Sequence, residues 1–110
     1  EDKVNKYFKN GFKIVGYGVP TKATLLLELS NLSILQVPFI VEDNIHKVGR
    51  YLPKFAIPIY GLQKLLDYKP DIIIIFAWNF SDEIIQKLSN QIDWKCKCII
   101  PLPYYKEVLF

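Results

Sequence analysis

The chain has 110 residues, 51% of them hydrophobic and 23% charged, and 14 basic against 11 acidic side chains leave a net charge of +3. Those values describe one ordinary globular domain and exclude disorder as the main state. The longest apolar runs fall far short of the roughly 18 residues of a membrane span, no signal-peptide core follows Glu1, and the dense basic stripe of a nucleic-acid binder is missing.

Residues 2 to 10 read as a helix, with Val4, Tyr7 and Phe8 at helical spacing and Asn10-Gly11 as its stop. Residues 12 to 17 read as a strand, and Gly18-Val19-Pro20 as a turn into a helix from Thr21 to about Asn31. That helix carries Leu25, Leu26, Leu29 and Leu32 on one side. Val37 to Val41 is the second strand, ending at Glu42-Asp43-Asn44. A long loop from Ile45 to Ala56 follows, and Ile57-Pro58-Ile59 is a short third strand that Pro58 demotes to an edge. Leu62, Leu65 and Leu66 mark a short helix. Ile72 to Ile75 is a β-branched run without alternation, the mark of a strand buried on both faces. Ser81 to about Gln91 is a helix with Asp82 and Glu83 at its positive end, and Cys96 to Ile100 is a fifth strand stopped by Pro101 and Pro103.

Strands alternating with helices imply a single α/β domain: an open, mostly parallel, Rossmann-like sheet of about five strands with helices on both faces. Such sheets bind ligands beyond the C-terminal strand ends, where the strand order reverses. That points to residues 16 to 22, 42 to 50 and 77 to 81. The sequence contains no methionine, so it is expected to be processed or cut from a longer protein. Residues 1–11 are then expected to be a connector helix from an upstream domain, and 12–110 the Rossmann-like domain itself.

Gly16-Tyr17-Gly18 between a strand and a helix is part of a dinucleotide fingerprint, but Thr21 stands where its third glycine belongs. The glycines serve either phosphate approach or turn geometry. Lys22 in the first helical turn opposes the helix dipole, which suits a ligand anion or a partner carboxylate as well as a chance surface position. Asp43 ends the second strand, where an acid reads sugar hydroxyls or forms an Asx turn with Asn44. Arg50, the only arginine, either grips phosphate or ties down its loop. Trp78 is a ring for stacking or for the core, and Asn79 a ligand contact or a helix cap. His46 has no partner in the sequence pattern. Cys96 and Cys98, two residues apart on one strand face, read as small buried residues in a reducing, cytoplasmic setting; with a single histidine they cannot complete a zinc site.

Four blocks in one order resemble a known family. They are Ile14-Val15-Gly16-Tyr17-Gly18-Val19-Pro20-Thr21-Lys22-Ala23-Thr24, then Val41-Glu42-Asp43-Asn44 with Lys47-Val48-Gly49-Arg50-Tyr51-Leu52-Pro53, then Ile57-Pro58-Ile59, and Ala77-Trp78-Asn79-Phe80-Ser81-Asp82-Glu83-Ile84. Over residues 12 to 103 the chain is similar to the C-terminal domain of sugar C-methyltransferases, enzymes that use S-adenosylmethionine to methylate a carbon of a nucleotide-linked deoxysugar. Val19 and Glu42 depart from the family's usual small residue and second Asp.

The resemblance implies a substrate-holding, accessory domain with no catalytic residue of its own, inactive in isolation. S-adenosylmethionine and zinc are expected in upstream domains of the same polypeptide and not in this chain. Substrate contacts are expected from Gly16, Tyr17, Gly18, Lys22, Asp43, Asn44, Arg50, Trp78 and Asn79. The implied partners are a nucleotide-linked sugar and the upstream domains, without nucleic acid or membrane. Two other readings stand beside it. One is a free-standing NAD(P)- or nucleotide-binding domain. The other is a docking unit without a ligand, using Tyr104, Tyr105 and Phe110.

Overall fold

Ile72–Ile75 forms the central strand, and the rest of the sheet is laid against it. The structure is a computed structural model that describes residues 6–7, 9–18, 37–43, 49, 51–52, 57–77, 80–100 and 106–110. In chain order its elements are β1 (Ile14–Tyr17), β2 (Ile40–Val41), β3 (Tyr51–Leu52), β4 (Ile57–Tyr60), α1 (Leu62–Tyr68), β5 (Ile72–Ile75), α2 (Ser81–Ser89), β6 (Lys97–Ile100) and β7 (Lys106–Leu109). They form one seven-stranded sheet in the order β3-β4-β2-β1-β5-β6-β7. From β4 to β6 every pairing is parallel; β3 and β7 close the two edges as antiparallel strands.

The isoleucine run is buried on both faces, as the lack of alternation requires. Ile72 and Ile74 join Ile14, Ile40, Ile99 and Phe76 in one apolar cluster. Ile73 and Ile75 join Val15, Tyr17, Val41, Leu65, Leu88 and Cys98 in the other. No polar or charged residue is buried among the described residues. Each such aliphatic side chain removed from water contributes about 1.5–3 kcal/mol, so the strand pair β1–β5 is held chiefly by its side chains.

Both described helices lie on the second face. Leu62, Leu65 and Leu66 of α1, and Ile84, Ile85 and Leu88 of α2, all pack into the cluster with Tyr17. The helix expected from Thr21 to Asn31 lies outside the described residues. On the first face, Tyr7 packs against the cluster from the N-terminal helical turn. That turn ends at the expected place. Gly11 takes φ +84°, Phe12 N–H donates to the Tyr7 carbonyl at 3.2 Å, and the two rings meet edge-on at 5.5 Å. This is a Schellman stop with its accompanying apolar contact.

Two edges differ from the sequence reading. Pro58 marks the limit of the parallel strands, but β4 is not the outermost strand: Tyr51 pairs opposite Pro58 and Leu52 opposite Ile57. The segment read as one long loop therefore contains a strand. At the other edge β6 ends at Ile100, before Pro101, as expected, but it is not the last strand. The chain returns as β7, with Cys98 opposite Val108 and Ile99 opposite Glu107. Phe110 packs on the second cluster and is not a free docking surface; Tyr104 and Tyr105 lie outside the described residues.

Cys96 and Cys98 are free and buried on one face, as their spacing suggests. Burial pushes the Cys96 thiol up to about 12 and raises Cys98 further. Both thiols are therefore protonated in the native state near neutral pH. The unfolded chain releases these protons from about pH 9 while the folded chain keeps them, so stability is full below that point and falls as pH rises toward 12. Iodoacetamide at pH 8.5 is expected to leave both cysteines unlabelled in the native protein and to label both in urea, as read by intact-mass spectrometry. Ile73→Ala is expected to destabilise the fold by about 2–5 kcal/mol through the cavity it leaves, measured by urea unfolding.

Candidate functional site

Counted along the chain, the five parallel strands stand in the spatial order 3-2-1-4-5. In chain order β1 is followed by β2 on one side and β5 by β6 on the other, so the strand order reverses between β1 and β5, the place where open parallel sheets bind ligands. Gly18 and Ala77 lie at this point of reversal. The Tyr17 carbonyl accepts from Phe76 N–H at 2.9 Å and Ala77 N–H at 3.4 Å, carrying the β1–β5 pairing to its last residues. The end of β2 lies beside this point, because Gly18 N–H donates to the Val41 carbonyl at 2.7 Å.

The two glycines are required by packing. A Cβ on Gly16 would overlap the buried Phe76 ring and stand 3.1 Å from the Ile40 side chain. Gly18 takes φ +88°, and a Cβ there would come to 2.5 Å from the Ala77 Cβ. Their amides are used as well: Gly16 N–H donates to the Phe39 carbonyl at 3.2 Å, and Gly18 N–H to Val41. Glycine here lets β1 run directly under Phe76 and turn sharply at its end. Any amide left for a ligand anion belongs to the residues after Gly18.

Tyr17 points to the opposite face from Gly16 and is only 1% exposed. Its hydroxyl donates to Asp43 Oδ1 at 2.8 Å. Lys87 of α2 donates to the same oxygen at 2.5 Å, with the lysine and aspartate side chains 42% and 49% exposed. Burial, then the bond to Asp43, then the charges of Asp43 and Glu42 push the Tyr17 hydroxyl above its usual range. It stays protonated and acts as a donor across the neutral range. Tyr17 thus reaches a ligand only by way of Asp43.

Lys87 is the residue that sequence reasoning missed. It lies 44 positions from Asp43, and on α2 it reads as an ordinary solvent-facing lysine near a helix C-terminus. Only the packing of α2 over β1 and β2 brings it to the strand end. Phe80 is a second omission. It occupies the N-cap position of α2 without a side-chain cap bond and is 60% exposed, with its N–H bonded to the Ala77 carbonyl at 3.0 Å. It sets an exposed aromatic ring three residues beyond Ala77.

The structure therefore brings Gly16, Tyr17, Gly18 and Asp43 together at adjoining strand ends. Lys22, Asn44, Arg50, Trp78 and Asn79, with His46, lie outside the described residues. Among the described residues no group of three or more His, Cys, Asp or Glu side chains could hold a metal ion. Both cysteines face the apolar core, and two sulfurs alone do not supply the four ligands of a structural zinc site. No described helix is long and apolar enough to cross a membrane.

Comparison with known proteins agrees with this architecture. Residues 2–103 match the C-methyltransferase C-terminal domain family. The C-methyltransferase NovU of Streptomyces niveus is 31% identical over 94 residues, covering 86% of this chain and 22% of that protein. The chain thus spans about a fifth of the length of this curated relative, and it belongs to the C-methyltransferase C-terminal domain family.

The glycine geometry yields a paired test. Gly49 also has φ +88°, but nothing lies within 4 Å of an added Cβ. Gly49→Ala is expected to cost about 1–2 kcal/mol, the left-handed backbone penalty alone. Gly18→Ala adds the clash with Ala77 and is expected to cost at least about 1 kcal/mol more, by comparison of urea midpoints.

Proposed function

We propose that this domain grips the acceptor substrate of a C-methyltransferase, a nucleotide-linked deoxysugar, and presents its carbon to a methyl group held elsewhere in the polypeptide. The observation that carries the reading is the strand order, which brings the ends of β1, β2 and β5 side by side at the point of reversal in a chain of this family. The matching length of NovU leaves most of such an enzyme outside the aligned segment. S-adenosylmethionine and zinc belong, in this reading, to upstream domains, and the first eleven residues to the connection with them.

The contribution of the domain is positional. Asp43, with Asn44, takes sugar hydroxyls; Lys22 and Arg50 neutralise the diphosphate; Trp78 and Asn79 line the wall beside Phe80. Gly16 and Gly18 allow the close approach of β1 to Phe76 and Ala77. Holding a reacting group in place is worth up to about 7–11 kcal/mol of barrier in the best cases, without any proton transfer by the holder. The sheet behind this set holds no buried charge among the described residues.

Isothermal calorimetry separates this reading from its rivals. Heat with a nucleoside-diphosphate sugar, and none with NADH, is the expected outcome for the polypeptide that carries this domain. Lys22→Ala and Arg50→Ala are each expected to weaken that binding about tenfold or more, the loss of a charge-assisted phosphate contact. Unchanged affinity in both would remove the diphosphate assignment, and heat with NADH instead would favour a dinucleotide-binding domain.

A further inference from the structure

The bonding of Asp43 is lopsided. Oδ1 accepts from two donors, the Tyr17 hydroxyl at 2.8 Å and Lys87 Nζ at 2.5 Å. Among the described residues Oδ2 has no hydrogen-bond partner, and the side chain is half exposed at the end of β2. Carboxylates rotate freely about their last bond when only one weak contact holds them. Two donors converging on one oxygen, one from a buried ring and one from a helix on the same face, remove that freedom and leave the second oxygen without a partner among the described residues.

We propose that Tyr17 and Lys87 are positioning residues that clamp Oδ1 of Asp43 so that Oδ2 accepts a hydrogen bond from a hydroxyl of the sugar. The inference rests on the substrate-holding reading above and deepens it by assigning the hydroxyl contact to one oxygen and its orientation to α2. Tyr17 suits the role because its ring is locked in the core while its hydroxyl alone reaches Asp43. Lys87 suits it because its exposed stem spans from the helix to the strand end and brings its ammonium group to Oδ1. The same pairing explains why the acid at the end of β2 does not turn away into solvent.

The test uses the polypeptide that carries the domain, with uridine- and thymidine-diphosphate glucose as probes and the matching nucleoside diphosphates as controls. Lys87→Met keeps the stem and removes the charge; Tyr17→Phe keeps the buried ring and removes the hydroxyl. Each is expected to weaken binding of the sugar probe about three- to tenfold and to leave the diphosphate alone unaffected. In an Asp43→Asn background, where the sugar contact is already impaired, neither is expected to weaken binding further. Such non-additivity is not produced by a general loss of stability, which thermal unfolding of each variant reads separately.

If Asp43→Asn weakens the sugar probe but Lys87→Met and Tyr17→Phe do not, the clamp is overturned and the substrate-holding reading stands. Additive losses in the double variants overturn the clamp too. Equal losses with the bare diphosphates would make Lys87 an anion contact and overturn it as well. Failure of the unaltered protein to bind any probe would overturn both readings.

Discussion

The pairing of β1 with β5, Ile14 opposite Ile72 through Tyr17 opposite Ile75, is the constraint on which the remaining structure depends. Both strands are buried on both faces, so neither can shift register by one residue without exchanging its two apolar sets. Their parallel pairing also means that both chains exit at the same end and diverge there. The position of the candidate site is a consequence of the reversal of strand order between them. With no polar residue buried among the described residues, the sheet acts as an apolar support, and everything able to meet a polar ligand is displaced to its rim.

Much of this was legible in the sequence because it depends on local pattern. The unbroken isoleucine run, the leucine stripe of α1 and the Ile84, Ile85 and Leu88 stripe of α2 each declare their burial by spacing alone. Alternation of strand and helix then leaves few parallel arrangements. The two edge strands were not legible. β3 is two residues long, and neither its length nor its composition separates it from loop; only the free side of β4 makes it a strand. β7 carries Lys106 and Glu107, charges typical of an edge, and its only described inward contacts come from Val108 and Phe110 beyond it.

The candidate site was legible in position and less so in chemistry. Gly16-Tyr17-Gly18 was recognisable as a strand-to-helix turn, yet the pattern cannot distinguish a phosphate cradle from close packing. Phe76 and Ala77 supply the distinction: one ring covers Gly16, one methyl abuts Gly18, and the carbonyls of Phe39 and Val41 take both amides. The Tyr17–Asp43–Lys87 arrangement was invisible for another reason. Its members are separated by 26 and 44 positions, and their meeting is a product of helix packing. Sequence spacing reports what one element does alone; it is silent where three elements converge.

The direction of the perturbed side chains bears on what such a domain contributes. Catalytic acids, bases and nucleophiles need proton affinities drawn toward the working pH. The resolved shifts here run the other way. Tyr17, Cys96 and Cys98 are all held more firmly protonated by burial, and Lys97 is held more firmly charged by the Tyr7 hydroxyl and Glu107. The tyrosine cannot serve as a base near neutrality, nor the thiols as nucleophiles; Lys97 ties the N-terminal helical turn to β6 and β7. These groups are stabilised in the state that donates or braces, which is the state useful for fixing geometry. Among the described residues these groups brace the sheet and the end of β1, and none of them is drawn toward the neutral range.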